Sequence, residues 1–68
     1  MQNNVKQFRE KFGMTQEDLG QKAKVSRQSI ISIEKGQYVP TTVLALKLAV
    51  LLGTTVETLF VLDKADWK

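Results

Sequence analysis

Val25-Ser26-Arg27-Gln28-Ser29-Ile30-Ile31-Ser32-Ile33-Glu34-Lys35-Gly36-Gln37 is the stretch that decides how this chain folds. The Ser26 hydroxyl can satisfy an orphan backbone N–H at a helix start, and Gly36 can take the left-handed conformation that follows a helix end. These bounds predict a helix of about three turns. At 100° per residue, Ile30 and Ile33 fall together on one side. Gln28, Ser32 and Lys35 fall on the other, flanked by Arg27 and Ile31. One face suits a core and the other is presented.

Immediately upstream, Thr15-Gln16-Glu17-Asp18 has the Thr-x-x-acid form of a capping box, with Leu19 and Ala23 one turn apart behind it. A second short helix therefore precedes the first. Only the residues around Lys24-Val25 separate the two, which is the tight turn of a helix-turn-helix spanning about residues 15–35. The run Met14-Thr15-Gln16-Glu17-Asp18-Leu19, then Val25-Ser26-Arg27-Gln28-Ser29-Ile30, Ile33-Glu34-Lys35-Gly36, Pro40 and Leu44-Ala45-Leu46-Lys47-Leu48-Ala49, resembles the Cro/Xre family of helix-turn-helix DNA-binding domains. The resemblance runs from about Val5 to Phe60. It implies an all-α, five-helix, lambda-repressor-like domain of bacterial or phage origin. Two positions depart from the family pattern. Lys24 stands where a turn glycine is usual, which asks a non-Gly residue to adopt the left-handed region. Ile31 stands on the outer face where a small polar residue is usual, open either to a thymine methyl or to burial at the helix rim.

The remaining chain reads as helix with short punctuation, without repeats or linkers. Val5, Phe8 and Phe12 recur at helical spacing in a first helix that Gly13 ends. Pro40-Thr41-Thr42 opens a fourth helix reaching Leu52 and closed by Gly53. Thr54-Thr55 caps a fifth holding Val56, Leu59 and Phe60. No window alternates long enough for a sheet, although Phe60-Val61-Leu62 can form a short extended piece. Residues 61–68 are a C-terminal tail. Met14, Phe8, Phe12 and Phe60 are expected in the core rather than around a ligand.

Composition narrows the chemistry. Sixty-eight residues form one domain with one modest core, burying about 60% of the surface of the unfolded chain and leaving no cleft between domains. There is no Cys and no His, which removes disulfides, thiolate nucleophiles and the commonest metal ligand. No metal or cofactor is expected, and no pair of catalytic groups can be named, so an enzyme is the least favoured class. No apolar stretch approaches the ~20 residues of a membrane span, and Met1-Gln2-Asn3-Asn4 lacks signal-peptide character. A cytoplasmic protein without membrane contact is expected. The net charge of +3 is mild. Its distribution is uneven, with Lys22, Lys24, Arg27 and Lys35 at the motif and Glu57, Asp63 and Asp66 toward the C-terminus, which suits one phosphate-facing side.

The presented face has a matching chemistry. A helix fits the major groove, where Arg pairs with the O6/N7 acceptors of guanine, Gln with the N6/N7 edge of adenine, and Ser with several bases weakly. Base readout is therefore expected from Arg27, Gln28 and Ser32. The resemblance implies backbone contacts from Gln16 at the start of the preceding helix and from Ser26, Ser29, Lys35, Gln37 and Tyr38 at the flank and following loop; for Tyr38 a packed loop aromatic is an equal alternative. It also implies a partly buried ion pair between Arg9 and Glu34. On the fourth helix, Ala45, Leu48, Ala49 and Leu52 form a core stripe, while Val43, Leu46 and Val50 form a second at i, i+3 and i+7. With Leu46 covered inside the domain, Val43, Val50, Val61, Leu62 and Trp67 make an apolar surface for a two-fold dimer on a palindromic double-stranded DNA operator. The alternative folds the tail back over its own fourth helix. A DNA-binding antitoxin that holds a second protein fits the same residues, and a protein-binding module without DNA contact fits them less well.

Overall fold

Four of the helices begin where a hydroxyl accepts the backbone N–H three residues ahead. In the computed structural model, which describes residues 1–68, these caps are Thr15 for α2 (Gln16–Ala23), Ser26 for α3 (Arg27–Glu34), Thr41 for α4 (Thr42–Leu51) and Thr55 for α5 (Val56–Leu59). At α2 the box is complete: the N–H of Asp18 donates to Thr15 Oγ1 (3.0 Å) and the N–H of Thr15 to Asp18 Oδ2 (2.9 Å). Helix α1 (Val5–Lys11) lacks a side-chain cap from Asn4. Asn3 substitutes, accepting the N–H of Val5 (3.2 Å) while its amide donates to the carbonyl of Ile33 (2.8 Å), so the first helix is tied to the end of the third.

The ends of α1 to α4 follow one rule as well, while α5 runs straight into extended backbone. At α3 the N–H of Gly36 donates to Ile33 O and that of Gln37 to Ser32 O, both at 2.9 Å, the paired bonds of a Schellman stop. Eight helical residues make α3 about 12 Å long, a little over two turns rather than three. The same pair of bonds closes α2, but the left-handed residue there is Lys24, at φ 62° and ψ 42°.

Val5, Leu19, Ile30, Ile33, Leu48, Leu52 and Leu59 are fully buried, so every helix contributes to one core. Each such side chain contributes roughly 1.5–3 kcal/mol. Phe60 is buried, and Phe8 and Met14 pack at the core edge. Phe12 is 54% exposed, contrary to expectation: it caps α1, and its ring lies over Gly53, where an added Cβ would come within 3.3 Å. Helix α5 stops at Leu59 rather than holding Phe60, whose backbone is extended; the short extended piece expected from Phe60 onward is present, but its partner strand and the helix of the tail were not anticipated. Gln2–Asn3 (β1) and Phe60–Val61 (β2) pair antiparallel, Gln2 opposite Val61 and Asn3 opposite Phe60. The tail then forms a 3₁₀ helix, Lys64–Trp67, with its own Asp63–Asp66 capping box. The Met1 amino group sits 3.2 Å from carboxylate oxygens of both aspartates. Hydrogen bonds to Asp66 and then Asp63 hold that amine above the ordinary value for a chain terminus. No helix is long and apolar enough to cross a membrane.

Candidate nucleic-acid interface

The α2–α3 pair meets at Gly20. A Cβ there would lie 3.0 Å from the carbonyl oxygen of Val25 and 3.4 Å from the N–H nitrogen of Arg27, so glycine lets the turn rest on α2 where any side chain would push the turn backbone outward by a few tenths of an ångström. Sequence reading passed over this residue, although an isolated glycine inside a helix is a recognised sign of close approach. With the turn seated, Ile30 and Ile33 face inward at 0% exposure, and the opposite side of α3 is left to solvent.

Arg27 and Gln28 are both exposed but open into different hollows. Arg27 shares a polar concavity with Arg9, Gln16 and Glu17 at the start of α2. Gln28 shares a second with Ser26, Ser29, Ser32 and Tyr38. Ser29 and Ser32 are half-buried; the Ser26 and Ser29 hydroxyls are 3.0 Å apart, and Gln28 Nε2 reaches Ser32 Oγ at 3.5 Å. Lys35, Gln37 and Tyr38 are exposed just beyond, and Ile31 is half-buried at the rim. The face thus offers a guanidinium, an amide and hydroxyls within one short helix. Lys22 and Lys24 lie elsewhere: with Lys47 they flank Val43, Leu46 and Val50 of α4. The positive charge of the motif is therefore split between two surfaces.

Behind the face runs a buried polar network. Arg9 Nε donates to Glu34 Oε2 (2.7 Å) and Nη2 to Oε1 (3.3 Å), and Nη1 donates to the carbonyl of Met14 (2.8 Å). The side chains are 9% and 5% exposed. The hydrogen bonds to Glu34 hold the Arg9 guanidinium above its ordinary value despite desolvation. Glu34 Oε1 accepts a further bond from Gln16 Nε2 (3.1 Å), a link absent from the sequence reading. At the start of α2, the bond from the Thr15 N–H holds the Asp18 carboxyl below the usual carboxylate range.

Away from Arg27 and Gln28, beside Lys22, Lys24 and Lys47, Val43 (64%), Leu46 (54%) and Val50 (79%) form an uncovered strip along α4, so Leu46 is not satisfied within the domain. Val61, Leu62 and Trp67 are exposed as well, and the tail does not cover α4. Leu46 and Val50 also border an apolar groove of about 520 Å³ lined by Pro40, Ala49, Val56 and Phe60. No group of three or more acidic residues is placed to hold a metal ion.

This arrangement is that of a small DNA-binding regulator, and comparison with known proteins agrees. A helix-turn-helix family model matches residues 5–59. An uncharacterized HTH-type transcriptional regulator of Archaeoglobus fulgidus is 43% identical over 66 residues, covering 97% of this chain and 94% of its own. YgzD, an uncharacterized HTH-type transcriptional regulator of Bacillus subtilis, is 44% identical over 66 residues, covering 97% of this chain and 100% of its own. Among solved structures, the chain in the SinR protein/SinI protein complex superposes with a TM-score of 0.77 at 29% identity, over 93% of this chain and 66% of that one. The clp gene regulator ClgR of Corynebacterium glutamicum gives 0.72 at 25% identity, over 76% of this chain and 55% of that one. This chain therefore spans only part of those two proteins. It belongs to the Cro/Xre-type helix-turn-helix family of DNA-binding transcriptional regulators.

Proposed function

We propose that the chain is a sequence-specific double-stranded DNA-binding regulator that lays α3 in the major groove and acts by binding alone. The observation that carries this reading is the division of α3 into a fully buried Ile30/Ile33 side and an outward side carrying exposed Arg27 and Gln28. Arg27, Gln28 and Ser32 read base edges; Arg27 suits guanine and Gln28 suits adenine. Gln16, Ser26, Ser29, Lys35, Gln37 and Tyr38 grip sugar-phosphate on either side and set the register without contributing sequence information. Gln16 stands at the first position of α2, where the helix dipole favours an anion. The site of action is the cytoplasm, on the nucleoid or on phage DNA.

The working unit is a two-fold homodimer. Support comes from the uncovered apolar strip of Val43, Leu46 and Val50, together with exposed Val61, Leu62 and Trp67 on the tail. A run of uncovered apolar residues along one helix of a small domain marks an interaction surface, and the exposed tail residues can add to it. A dimer also places two reading helices about 34 Å apart on a palindrome, which gives the selectivity one short helix lacks. A second reading, in which the strip holds a different protein, draws support from SinR, whose structure is that of a SinR protein/SinI protein complex.

Selection of bound sequences from a random duplex pool tests the main reading. The expected result is an enriched inverted repeat; a pool that stays random after several rounds overturns it. Light scattering over a dilution series, with and without the selected duplex, tests the dimer. A mass that stays at one chain throughout, and a single copy per duplex, overturns that part.

A further inference from the structure

We propose that Glu34 is a positioning residue for DNA binding: it fixes the side-chain amide of Gln16 in the orientation that meets a phosphate before any DNA arrives. The inference rests on the reading of Gln16 as a phosphate contact and adds the group that aims it.

The geometry runs inward from the surface. Gln16 Nε2 has two N–H bonds, and one is directed 3.1 Å onto Glu34 Oε1. A carboxylate only accepts, so the amide nitrogen has to face it. The second N–H carries no protein partner and is left for an outside acceptor. Glu34 cannot swing to follow solvent, because its other oxygen is held at 2.7 Å by Arg9 Nε and its side chain is 5% exposed. Arg9 in turn donates to the carbonyl of Met14, one residue before the Thr15 cap of α2. The backbone at the start of α2 and the Gln16 side chain are therefore both referenced to one guanidinium. Arg9 also balances the charge of Glu34, so a carboxylate can stand behind a phosphate contact without a net negative charge there.

The benefit is preorganisation. Glutamine has three rotatable bonds, and ordering them at the moment of binding would weaken the contact. Here that ordering accompanies folding. An ordinary charge effect predicts the reverse for loss of Glu34, since one fewer negative charge near DNA favours association. The two effects have opposite signs, which makes them separable.

The test is a double-mutant cycle on affinity for a non-specific 20-base-pair duplex, measured by fluorescence anisotropy well below each variant's unfolding midpoint. The four proteins are the original chain, Gln16→Ala, Glu34→Gln and the double variant. Gln16→Ala is expected to weaken binding about tenfold. Glu34→Gln is expected to weaken it several-fold despite the gained positive charge, and to have no such effect in the Gln16→Ala background. Equal losses from Glu34→Gln in both backgrounds, or tighter binding in the first, overturn the positioning role while leaving the phosphate contact standing. No loss from Gln16→Ala overturns both. A second measurement needs no variant: side-chain amide ¹⁵N relaxation in the free protein should show Gln16 Nε2 as ordered as rigid backbone, with an order parameter near ~0.85, and exposed Gln21 well below it. Equal mobility of the two amides overturns the proposal.

Discussion

Helices α3 and α4 are neighbours in sequence and similar in length, yet they meet solvent in opposite ways. Helix α3 buries Ile30 and Ile33 and turns Arg27, Gln28 and Ser32 outward; α4 buries Leu44, Leu48 and Ala49 and turns Val43, Leu46 and Val50 outward. Their inner faces are interchangeable in kind, and both feed one core. Only the outer faces differ. A polar outer face with base-matching donors suits a nucleic acid, whereas an apolar one suits protein. In so small a domain the core is shared, and the helices differ in what each leaves uncovered, which is the basis for the proposed division between DNA and a partner chain.

The sharpest way to break this comparison is to disturb the polar network behind α3 and the apolar strip of α4 in parallel. Arg9→Met and Glu34→Leu should each cost about 3–5 kcal/mol in urea melts, because each leaves one buried charge without its partner. The double variant should recover much of that loss, and simple additivity would mean the pair is not coupled. Val50→Glu, at 79% exposure, should change the folding free energy of one chain by only about 0.5 kcal/mol while splitting a dimer. Unfolding by Val50→Glu would make α4 a core element on both sides.

Smaller effects sharpen the contrast. Arg27→Ala or Gln28→Ala should each cost about 1–3 kcal/mol on the selected duplex and relax preference at one base pair, with little change in melting. An Arg27→Ala variant with unaltered affinity and preference would mean that another side of α3 meets DNA. Lys24→Gly should stabilise the fold by about 0.5–1 kcal/mol, since glycine enters the left-handed region without the Cβ penalty but is freer when unfolded. A destabilised Lys24→Gly in thermal melts would point to a contact of the lysine itself.

The smallest effects are set by pH and separate the two ends of the molecule. The Asp18 carboxyl is held low in the folded state, so its contribution is present above about pH 4 and is lost as pH falls through its folded value. The Met1 amine is held above 8.0, so its contribution is present below about pH 8 and is lost as pH rises through its raised value. Amide exchange should therefore show alkali loosening the tail alone while α2 stays protected. Acid loosens α2, and it loosens the tail too, because Asp66 is also held low by its bond from the Asp63 N–H. Equal loosening of α2 in alkali would contradict this assignment.

Most helix boundaries were legible because a single residue writes each: Thr15, Ser26, Thr41 and Thr55 start helices by local bonds, and Gly13, Gly36 and Gly53 stop them, whereas the uncapped start of α1 and the extended stop of α5 at Phe60 have no such signal. The buried half of α3 was legible from the period alone. Periodicity failed for Phe12, which stands at core spacing but past the end of α1 and lies only against Gly53; for Leu46 it gave the right outer stripe, and only the expectation that the domain covers that residue failed, because no element comes over it. The extended piece at Phe60-Val61 was legible from its β-prone residues, but its pairing with Gln2-Asn3 left no pattern, since two residues are too few to alternate. At the candidate site, residue types and spacing pointed to the presented face. The Gln16–Glu34 bond left no sign in the sequence, because it depends on how α3 lies across α2, whereas the close seat of Gly20 was signalled by a lone glycine inside a helix without saying what approaches it.

The chain has one tryptophan and one tyrosine, and the fold sets them at different places. Trp67 stands 77% exposed on the tail, and Tyr38 borders the hollow beside Gln28 and Ser32. The molecule thus carries two intrinsic aromatic reporters, one near each surface. A blue-shifted indole emission on concentration would register burial of the tail in the proposed dimer, and shifts of the Tyr38 ring protons on adding a duplex would register the proposed docking at α3. Each event can be followed without attaching a dye.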